Sequence, residues 1–298
     1  MEDHVRIAFI GLGEAAGAFI TGWGADRAGD IAAFDIKTTL PETADEILNR
    51  AKAYGIKHCK TLQDAISNAD VVFSTVTADQ AIVAARGAAP LMKQGAYFLD
   101  MNSCAPSSKQ VSAGIMDKHD LRYVDVAVME PVYPKQLDVP LLISGDWSDQ
   151  VSTNLNDLSL TFRIIKGPVG RASSIKMVRS IMVKGLEALT AECALAAYAA
   201  DVVDEVFSSL RDGHPKIDME QRATYNFERS MTHGVRRAAE MDEVAKMVYD
   251  LGLPNDLAQG SANWQRIIAD NTVDRSASKQ GRDLQSLVDE LLPRIRGD

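Results

Sequence analysis

The segment Lys166–Leu189 holds the residues best suited to acid–base chemistry. Lys176, Ser180 and Lys184 recur at i, i+4 and i+8 of a helical pattern, so all three project from one face. A lysine on such a face exchanges a proton with an alcohol or carbonyl oxygen when burial or a neighbouring cation lowers its pKa. Lys184 is that neighbouring cation, and Ser180 is placed to orient a substrate hydroxyl. The alternative is a solvated lysine face on a surface helix.

A glycine-bearing turn near the N-terminus predicts a phosphate-binding site. The apolar run Val5–Ile10 leads into Gly11 and Gly13, and a helical pattern follows at once. Gly11 permits a tight turn, Gly13 lets a pyrophosphate approach the backbone, and Ala16 is small enough for close helix–strand packing. The N-terminus of the helix attracts the anion. The residues assigned to dinucleotide binding here are Gly11, Leu12, Gly13, Glu14, Ala15 and Ala16.

Asp35 ends the next predicted strand, where a carboxylate accepts hydrogen bonds from both adenosine ribose hydroxyls. Such a carboxylate also repels a 2′-phosphate, which favours NAD as the cofactor. Lys37 follows closely with Thr38 and Thr39, and these residues offer a cation and donors to NADP, the alternative cofactor. A second interpretation of Asp35 is a simple turn cap at the strand end.

The composition is typical of a soluble globular protein with two domains. The chain has 298 residues, of which 46% are hydrophobic and 24% charged. Its net charge of −9 and the absence of a basic cluster make nucleic acid and anionic membranes poor partners. No signal pattern or membrane-spanning run is present. Three well-separated cysteines, Cys59, Cys104 and Cys193, predict a cytoplasmic protein without a metal site.

Strand-like and helical patterns alternate through residues 1–167. Helical patterns include Pro41–Tyr54, closed by Gly55, and Gln80–Lys93. This alternation predicts a Rossmann-type, doubly wound α/β domain with a mostly parallel sheet. The strand-like runs are Val5–Ile10, Ile31–Asp35, Val71–Val76, Ala96–Asp100, Tyr123–Val128, Leu141–Ser144 and Phe162–Ile165.

Residues 168–298 carry helical patterns alone. A long connecting helix is predicted over about 173–210, and short breaks follow at 213–216 and 252–255. The second domain is therefore expected to be all-α.

Three motifs together resemble the β-hydroxyacid dehydrogenases, a family that includes 6-phosphogluconate and 3-hydroxyisobutyrate dehydrogenases. They are GLGEAAG at 11–17, DMNSCAP at 100–106 and the segment Gly167–Ser180. The family motif G-x-x-G-x-G-x-x-x-K-x-x-x-N matches at Gly167, Gly170 and Lys176. The chain departs from it at Ala172, where the family has glycine, and at Ser180, where it has asparagine.

The resemblance implies an NAD(P)-dependent oxidoreductase of a less characterised branch, with a homodimeric assembly. It also implies that the all-α second domain, residues 168–298, serves in substrate binding and dimerisation. Lys176 would be the general acid/base in hydride transfer between the nicotinamide and a small hydroxy acid or polyol. Ser180 would stand in the position of the family asparagine, and Ser103 would contact the substrate or cap a turn. The resemblance places Thr75, Thr77 and Asn102 near the nicotinamide and its ribose.

One departure bears on the substrate. The family carries D-A-P-V-S-G-G where this chain has DVAVMEPV at 125–132, so no glycine backbone is available to grip a carboxylate. Glu130 would repel an acid group if it pointed inward, which favours an amine, a polyol face or a different anion anchor. Glu130 is alternatively a solvated loop residue.

A polar group in the second domain is a further candidate. His233, Arg237 and Glu240 share one helix face by their spacing. Arg237 is predicted to bind an anionic substrate. The alternative is a solvated face, on which each exposed ion pair contributes less than about 1 kcal/mol.

Two other functions remain open. An imine or carbonyl reductase of the imine-reductase type has the same two-domain layout, and Glu130 suits a cationic iminium, whereas Lys176 argues against it. A non-catalytic dinucleotide-binding protein would keep the fold without hydride transfer.

Overall fold

A computed structural model describes residues 5–213, 218–274 and 281–297. The chain forms two compact units, residues 1–177 and 178–298. The first unit is α/β and the second all-α, as the sequence predicts. The division falls inside a long helix, whereas the sequence analysis divides the chain before that helix.

The first unit is built on one eight-stranded sheet. The strands are β1 (Ile7–Ile10), β2 (Ile31–Phe34), β3 (Lys57–His58), β4 (Val71–Ser74), β5 (Tyr97–Asp100), β6 (Arg122–Val128), β7 (Leu141–Ser144) and β8 (Phe162–Ile164). Their order is β3-β2-β1-β4-β5-β6-β7-β8. Neighbours run parallel, except for the antiparallel pair β6 and β7. The seven predicted strands are confirmed, and β3 was missed because two polar residues carry no apolar pattern.

Helices cover both faces of this sheet. Alternate residues of β1 enter two different cores, Ile7 and Phe9 in one and Ala8 and Ile10 in the other. The predicted helix over 80–93 is shorter than expected, because Pro90 cannot donate a helical hydrogen bond and a 3₁₀ turn replaces the last turns. The helices are α1 (Glu14–Trp23), α2 (Ala25–Ala28), α3 (Pro41–Tyr54), α4 (Leu62–Ile66), α5 (Ala81–Ala88), α6 (Pro106–Asp117), α7 (Ser148–Asp157) and α8 (Arg171–Ala199), which continues into the second unit.

The strand order places a crevice at the carboxyl end of β1. The chain leaves β1 towards β2 on one side and later returns to β4 on the other. Loops diverge at such a switch point, and open α/β sheets bind their ligands there. Gly11 follows β1 and Thr75 follows β4, so both lie at this position.

The second unit consists of helices packed around an apolar core. After α8 come α9 (Val203–Gly213), α10 (Met219–Asp250), α11 (Asp256–Asp270) and α12 (Leu284–Arg296). Large buried side chains of this core include Phe227, Met231, Ile268 and Leu287. The predicted break at 252–255 is confirmed. The break at 213–216 begins where α9 ends, and its residues 214–216 lie outside the described residues.

The prediction of one long helix over 173–210 is wrong, because α8 and α9 are separate helices. Asp201 has a φ of +57°, in the left-handed region, and the Val202 amide donates to the carbonyl of Ala197 at 3.1 Å. This arrangement ends a helix. Glycine or asparagine usually occupies such a position, so the alanine-rich sequence gave no signal for the break.

The described part of the chain holds neither a membrane-spanning helix nor a cluster of metal-binding side chains. No helix there is long and apolar enough to cross a membrane. Across 5–213, 218–274 and 281–297, no three His, Cys, Asp or Glu side chains gather in a way that could hold a metal ion.

Three buried charges join β5, α6 and β6 in the first unit. Lys109 is fully buried, and its Nζ lies 2.9 Å from Asp100 Oδ1 and 3.6 Å from Asp125 Oδ1. Burial lowers the pKa of Lys109, but the two carboxylates outweigh this effect and raise it above the ordinary value. Lys109 is therefore a cation held between two anions. We call Asp100, Lys109 and Asp125 the buried clamp.

Replacing Lys109 with methionine tests how strongly the fold depends on this charge. Lys109→Met leaves two carboxylates without their cation, and we expect the free energy of unfolding to fall by about 3–5 kcal/mol. In the control Lys93→Met, which breaks a partly exposed pair with Asp70, the loss should stay below about 1 kcal/mol. Urea titrations followed by circular dichroism measure both. Equal losses in the two variants would contradict a structural role for the buried charge.

Candidate functional site

The glycine turn has the shape that a dinucleotide pyrophosphate requires. Gly11 has a φ of +91°, and a Cβ at this position would lie 2.7 Å from the carbonyl oxygen of Thr75. Beyond the turn, a Cβ on Gly13 would meet no atom within 4 Å. Gly13 is also the N-cap of α1 and gives it no side-chain cap, so the first-turn amides keep their capacity for an anion. The turn therefore fits the cofactor that the sequence predicts.

Thr75 holds this turn in place. Its hydroxyl donates to the carbonyl of Gly11 at 2.9 Å, and the amide of Gly11 donates to the carbonyl of Phe34 at 2.9 Å. Leu12 and Ala16 bury their side chains, so they can offer a cofactor only their backbone. Glu14 is exposed and Ala15 partly buried at the start of α1.

Asp35 both caps a turn and faces the glycine loop. Its Oδ1 accepts from the amide of Lys37 at 2.9 Å, and its Oδ2 accepts from the amide of Leu12 at 2.8 Å. The two interpretations of Asp35 are thus compatible, because each carboxylate oxygen has a second lone pair and the residue is only partly buried. Arg50, which the sequence analysis missed, donates to the Leu12 carbonyl at 2.7 Å.

The residues suggested for binding NADP differ in whether their side-chain donors are already hydrogen-bonded within the protein. The hydroxyls of Thr38 and Thr39 already donate to backbone carbonyls of their own turn. The Lys37 side chain is exposed beside them. Thr77 is exposed after β4 and hydrogen-bonds the Asp79 carboxylate.

Asn102 presents an unsatisfied acceptor at the carboxyl end of β5. Its side-chain amide donates to Asp100 Oδ1 at 2.8 Å and to Ser74 Oγ at 3.0 Å. The other side-chain atom, Oδ1, is buried and accepts no hydrogen bond from any described residue. A buried acceptor without a donor is costly, and a polar ligand group would satisfy it. Asn102 therefore fits its predicted role towards the cofactor.

Lys176 and Ser103 meet although 73 positions separate them in the sequence. Lys176 lies on α8, and Ser103 lies in the loop between β5 and α6. The Lys176 Nζ donates to Ser103 Oγ at 2.5 Å, and both residues are partly buried. Lys176 is thus directed to a polar partner rather than to bulk solvent. A cationic or proton-exchanging nitrogen and a hydroxyl are side by side here.

The start of α8 determines where Lys176 lies. Gly170 has a φ of +98°, and a Cβ there would lie 2.9 Å from Pro106 Cβ at the start of α6. The amide of Gly170 donates to Asp125 Oδ2 at 3.0 Å. The glycine of the sequence motif thus allows α8 to begin close to α6, which follows the loop of Ser103. Ala172, which replaces a family glycine, is fully buried against Ala127 and Leu142.

Further along α8, the predicted polar face is buried in the second unit. Ser180 is 7% exposed and Lys184 6% exposed, so the solvated-face interpretation is wrong for both. Lys184 Nζ bonds Glu240 Oε2 at 2.6 Å. This carboxylate balances the charge of Lys184, which weakens its suggested influence as a neighbouring cation.

Arg237 is also buried rather than solvated, and it forms an ion pair with Glu187. Its Nε has no hydrogen-bond partner among the described residues. Gln265 bonds the same Glu187 oxygen at 3.1 Å. Because Arg237 already has a carboxylate partner, an anionic substrate would have to compete with Glu187. His233 is partly buried one turn before Arg237.

Glu130 lies on an exposed loop after β6. Its Oε2 is 2.6 Å from Lys135 Nζ, and both side chains are more than 40% exposed. This arrangement is that of a solvated loop residue, the alternative given by the sequence. Contact between Glu130 and a substrate stays a prediction.

The sequence analysis missed the buried polar residues around Asp125. Asp100 and Asp125 stood in the motifs DMNSCAP and DVAVMEPV without an assigned role, and Lys109 was not singled out. Lys109 follows two serines in a polar stretch of α6, which is typical of a solvated helix surface. Tyr123 donates to Asp100 Oδ2 at 2.7 Å, and burial together with Asp100 raises its pKa well above 10.

Comparison with known proteins gives two family matches. Residues 6–130 match the family described as the NAD binding domain of 6-phosphogluconate dehydrogenase. Residues 197–268 match a domain of unknown function, DUF1932.

Solved structures resemble the whole chain. A conserved hypothetical protein from Sinorhizobium meliloti is 31% identical, with 98% of this chain and 97% of that chain covered and a TM-score of 0.74. A conserved protein of unknown function, described as similar to 3-hydroxyacid dehydrogenases, is 26% identical over 89% of this chain and 98% of its own, with a TM-score of 0.65. The 3-hydroxyisobutyrate dehydrogenase of Mycobacterium tuberculosis, solved with L-serine, is 16% identical over 97% and 99%, with a TM-score of 0.68, and shows a shared fold.

Proposed function

Because the chain belongs to a less characterised branch of the β-hydroxyacid and 6-phosphogluconate dehydrogenase family, which binds NAD(P), we propose that it oxidises a small hydroxy acid or polyol. The observation that carries the proposal is the hydrogen bond between Lys176 Nζ and Ser103 Oγ. When bound, NAD(P) supplies the hydride acceptor, or the hydride donor in the reverse direction. The residues of the chain have to bind the alcohol, orient it and move its proton.

Lys176 is the proposed general acid/base. Its neutral amine takes the proton of the substrate hydroxyl as the carbonyl forms, and its ammonium returns that proton in the reverse direction. Ser103 holds the Nζ in one position and offers its own hydroxyl to the substrate oxygen. Lys176 lies on the helix α8, and Ser103 follows Asn102, whose backbone amide is held by Asp100 at 3.0 Å, so both groups have support for precise placement.

Lys176→Ala tests this role with 3-hydroxyisobutyrate, L-serine and glycerol as probe substrates. We expect kcat to fall by about 10²–10⁴-fold, the usual contribution of a general acid/base. Affinity for NADH should stay within about twofold, since the glycine turn is untouched. Lys93→Ala removes an exposed lysine and serves as the control. A Lys176→Ala enzyme that keeps more than a tenth of the native rate would exclude the assignment.

We propose NAD as the preferred cofactor and NADP as the alternative. The negative charge of Asp35 beside the Leu12 amide disfavours a 2′-phosphate, and the hydroxyls of Thr38 and Thr39 are already engaged. The exposed Lys37 is the one residue of this group that supports NADP.

Fluorescence titrations with NADH and NADPH test the cofactor preference. Native protein should bind NADH more tightly than NADPH. Asp35→Asn should weaken NADH binding by about tenfold, because a charged acceptor for the ribose hydroxyls is lost, and should improve NADPH binding by about tenfold, because the charge that repels the 2′-phosphate is lost. Lys37→Ala should leave NADH binding unchanged. Thermal melts control for the backbone hydrogen bonds that Asp35 accepts. Tighter NADPH binding by native protein, lost in Lys37→Ala, would reverse the preference.

For the substrate, we propose a chemical class and not a single compound. A small hydroxy acid is the substrate that the family resemblance favours, and a polyol fits the loop at 125–132, which offers no glycine backbone to a carboxylate. The exposed ion pair of Glu130 with Lys135 weakens the support that Glu130 gives to a cationic iminium substrate. The directed contact of Lys176 with Ser103 favours a catalytic protein over a non-catalytic dinucleotide-binding one.

We further propose that the chain forms a homodimer through α8. Within the second unit, four apolar side chains of this helix recur on one face and remain exposed at 54, 64, 38 and 66%. They are Val178, Met182, Leu186 and Leu189. A contiguous exposed apolar row is typical of an interface with another chain.

Light scattering on an interface variant tests the homodimer. Native protein should have the mass of two chains, and Met182→Glu with Leu189→Glu should dissociate it, because charges would be buried without partners. Val111→Glu, at an equally exposed apolar position on α6, should leave the mass unchanged. A native monomer at micromolar concentration would contradict the proposal.

Localisation is proposed from the cysteines. Cys59 and Cys104 are buried, Cys193 is partly buried, and none of the three forms a disulfide bond. Free thiols are typical of reducing compartments. We therefore propose a cytoplasmic protein.

A further inference from the structure

The buried clamp connects the two residues that carry the proposed chemistry. We propose that Asp125 and Lys109 are positioning residues, which hold Lys176 against Ser103 by fixing the start of α8 relative to the loop after β5. Neither residue is exposed, so neither is proposed to touch substrate or cofactor. The catalytic consequence rests on the function proposed above, whereas the positioning itself does not.

At one end, Asp125 holds the first turn of α8. Its Oδ2 accepts from the amides of Gly170 at 3.0 Å and Ser173 at 3.1 Å, and its Oδ1 accepts from the Ser173 hydroxyl at 2.5 Å. Ser144 adds a bridge, since its hydroxyl donates to Asp125 Oδ2 at 2.9 Å and accepts from the Ala172 amide at 3.0 Å. A carboxylate from β6 thus accepts hydrogen bonds from two of the backbone amides at the start of the helix and complements the helix dipole.

At the other end, Asp100 holds the loop that carries Ser103. Its Oδ1 accepts from the backbone amide of Asn102 at 3.0 Å and from the side-chain amide at 2.8 Å. Lys109 donates to the carbonyl of Asp100 at 2.6 Å as well as to its carboxylate. The residue after Asn102 is Ser103, so these bonds fix the backbone one position before the hydroxyl that meets Lys176.

Lys109 links these two ends, because its Nζ lies within 4 Å of both carboxylates. The clamp has two carboxylates and one cation, and the positive end of α8 balances part of the remaining negative charge. Any shift of α8 away from β6 would leave Asp125 buried without its donors, which is strongly unfavourable. An apolar contact would tolerate such a shift far better. Lys176 lies one turn after Ser173, so its position follows that of the anchored turn.

Asp125→Asn and Ser173→Ala loosen the start of α8 in two different ways. Asparagine keeps one acceptor but loses the charge, and Ser173→Ala removes a single hydroxyl. Ser261→Ala is the matched control, because Ser261 is also buried and donates one hydrogen bond, to the Leu257 carbonyl at 2.7 Å within α11 of the second unit. All variants are made in the full chain and checked by thermal melts.

Trace acetylation with acetic anhydride reports the placement of Lys176 without any substrate. Peptide mass spectrometry gives its reaction rate relative to the exposed Lys93 of the same sample. We expect Lys176 to react at least threefold faster in Asp125→Asn and in Ser173→Ala, because its Nζ leaves Ser103. With 3-hydroxyisobutyrate or L-serine and NAD⁺, kcat should fall by about tenfold or more, while KM and NADH affinity change by less than about threefold. Ser261→Ala should match native protein in every measurement.

The outcomes separate this proposal from the proposed function. Unchanged Lys176 acetylation in folded Asp125→Asn and Ser173→Ala overturns the positioning role. Faster acetylation in a protein that oxidises none of the probe substrates supports the positioning role and counts against the proposed function. If Asp125→Asn does not fold, Ser173→Ala decides the question. A loss of activity explained entirely by lower melting temperature, with unchanged acetylation, also overturns the proposal.

Discussion

The buried ion pairs of Lys109 with Asp100 and Asp125 are the interaction on which the first unit depends. They connect two parallel strands, β5 and β6, to the helix that follows β5 and to the start of α8. Charged groups are rarely buried, because removing them from water is costly unless every charge has a partner. Asp100 and Asp125 each accept several hydrogen bonds, which offset the cost of burying their charges. This compensation holds as long as the donors keep their positions.

Two kinds of chemistry lie at the carboxyl edge of the same sheet. The glycine turn after β1 offers open backbone and an uncapped helix N-terminus, which suits a pyrophosphate. Asn102 after β5 leaves one buried acceptor for a polar ligand group. Lys176 and Ser103 lie beyond Asn102 with a nitrogen and a hydroxyl in contact. The residues predicted to bind the cofactor and the Lys176–Ser103 pair thus lie at the same edge of the sheet, where open α/β sheets bind their ligands.

In the second unit, oppositely charged side chains form ion pairs between two helices, α8 and α10. Lys184 with Glu240 and Arg237 with Glu187 form such pairs, and the Nε of Arg237 stays unsatisfied among the described residues. Removing one partner of such a pair would leave an uncompensated buried charge. These residues therefore specify how α8 and α10 pack, and their sequence spacing resembles that of a solvated face because a helix repeats in the same way whichever side is covered.

The sequence by itself determined the features that depend on local patterns. Apolar runs and glycines specified seven of the eight strands of the described sheet, the glycine turn after β1 and the order of an α/β unit before an all-α one. Helical spacing put Lys176, Ser180 and Lys184 on one face. Only the tertiary structure decided whether that face is buried or solvated, where α8 ends, and that Lys109 lies between two carboxylates. The physical reason is the distance along the chain over which each feature is decided. Periodicity indicates the secondary structure of one segment, whereas burial and ion pairing depend on residues that folding brings together from distant positions.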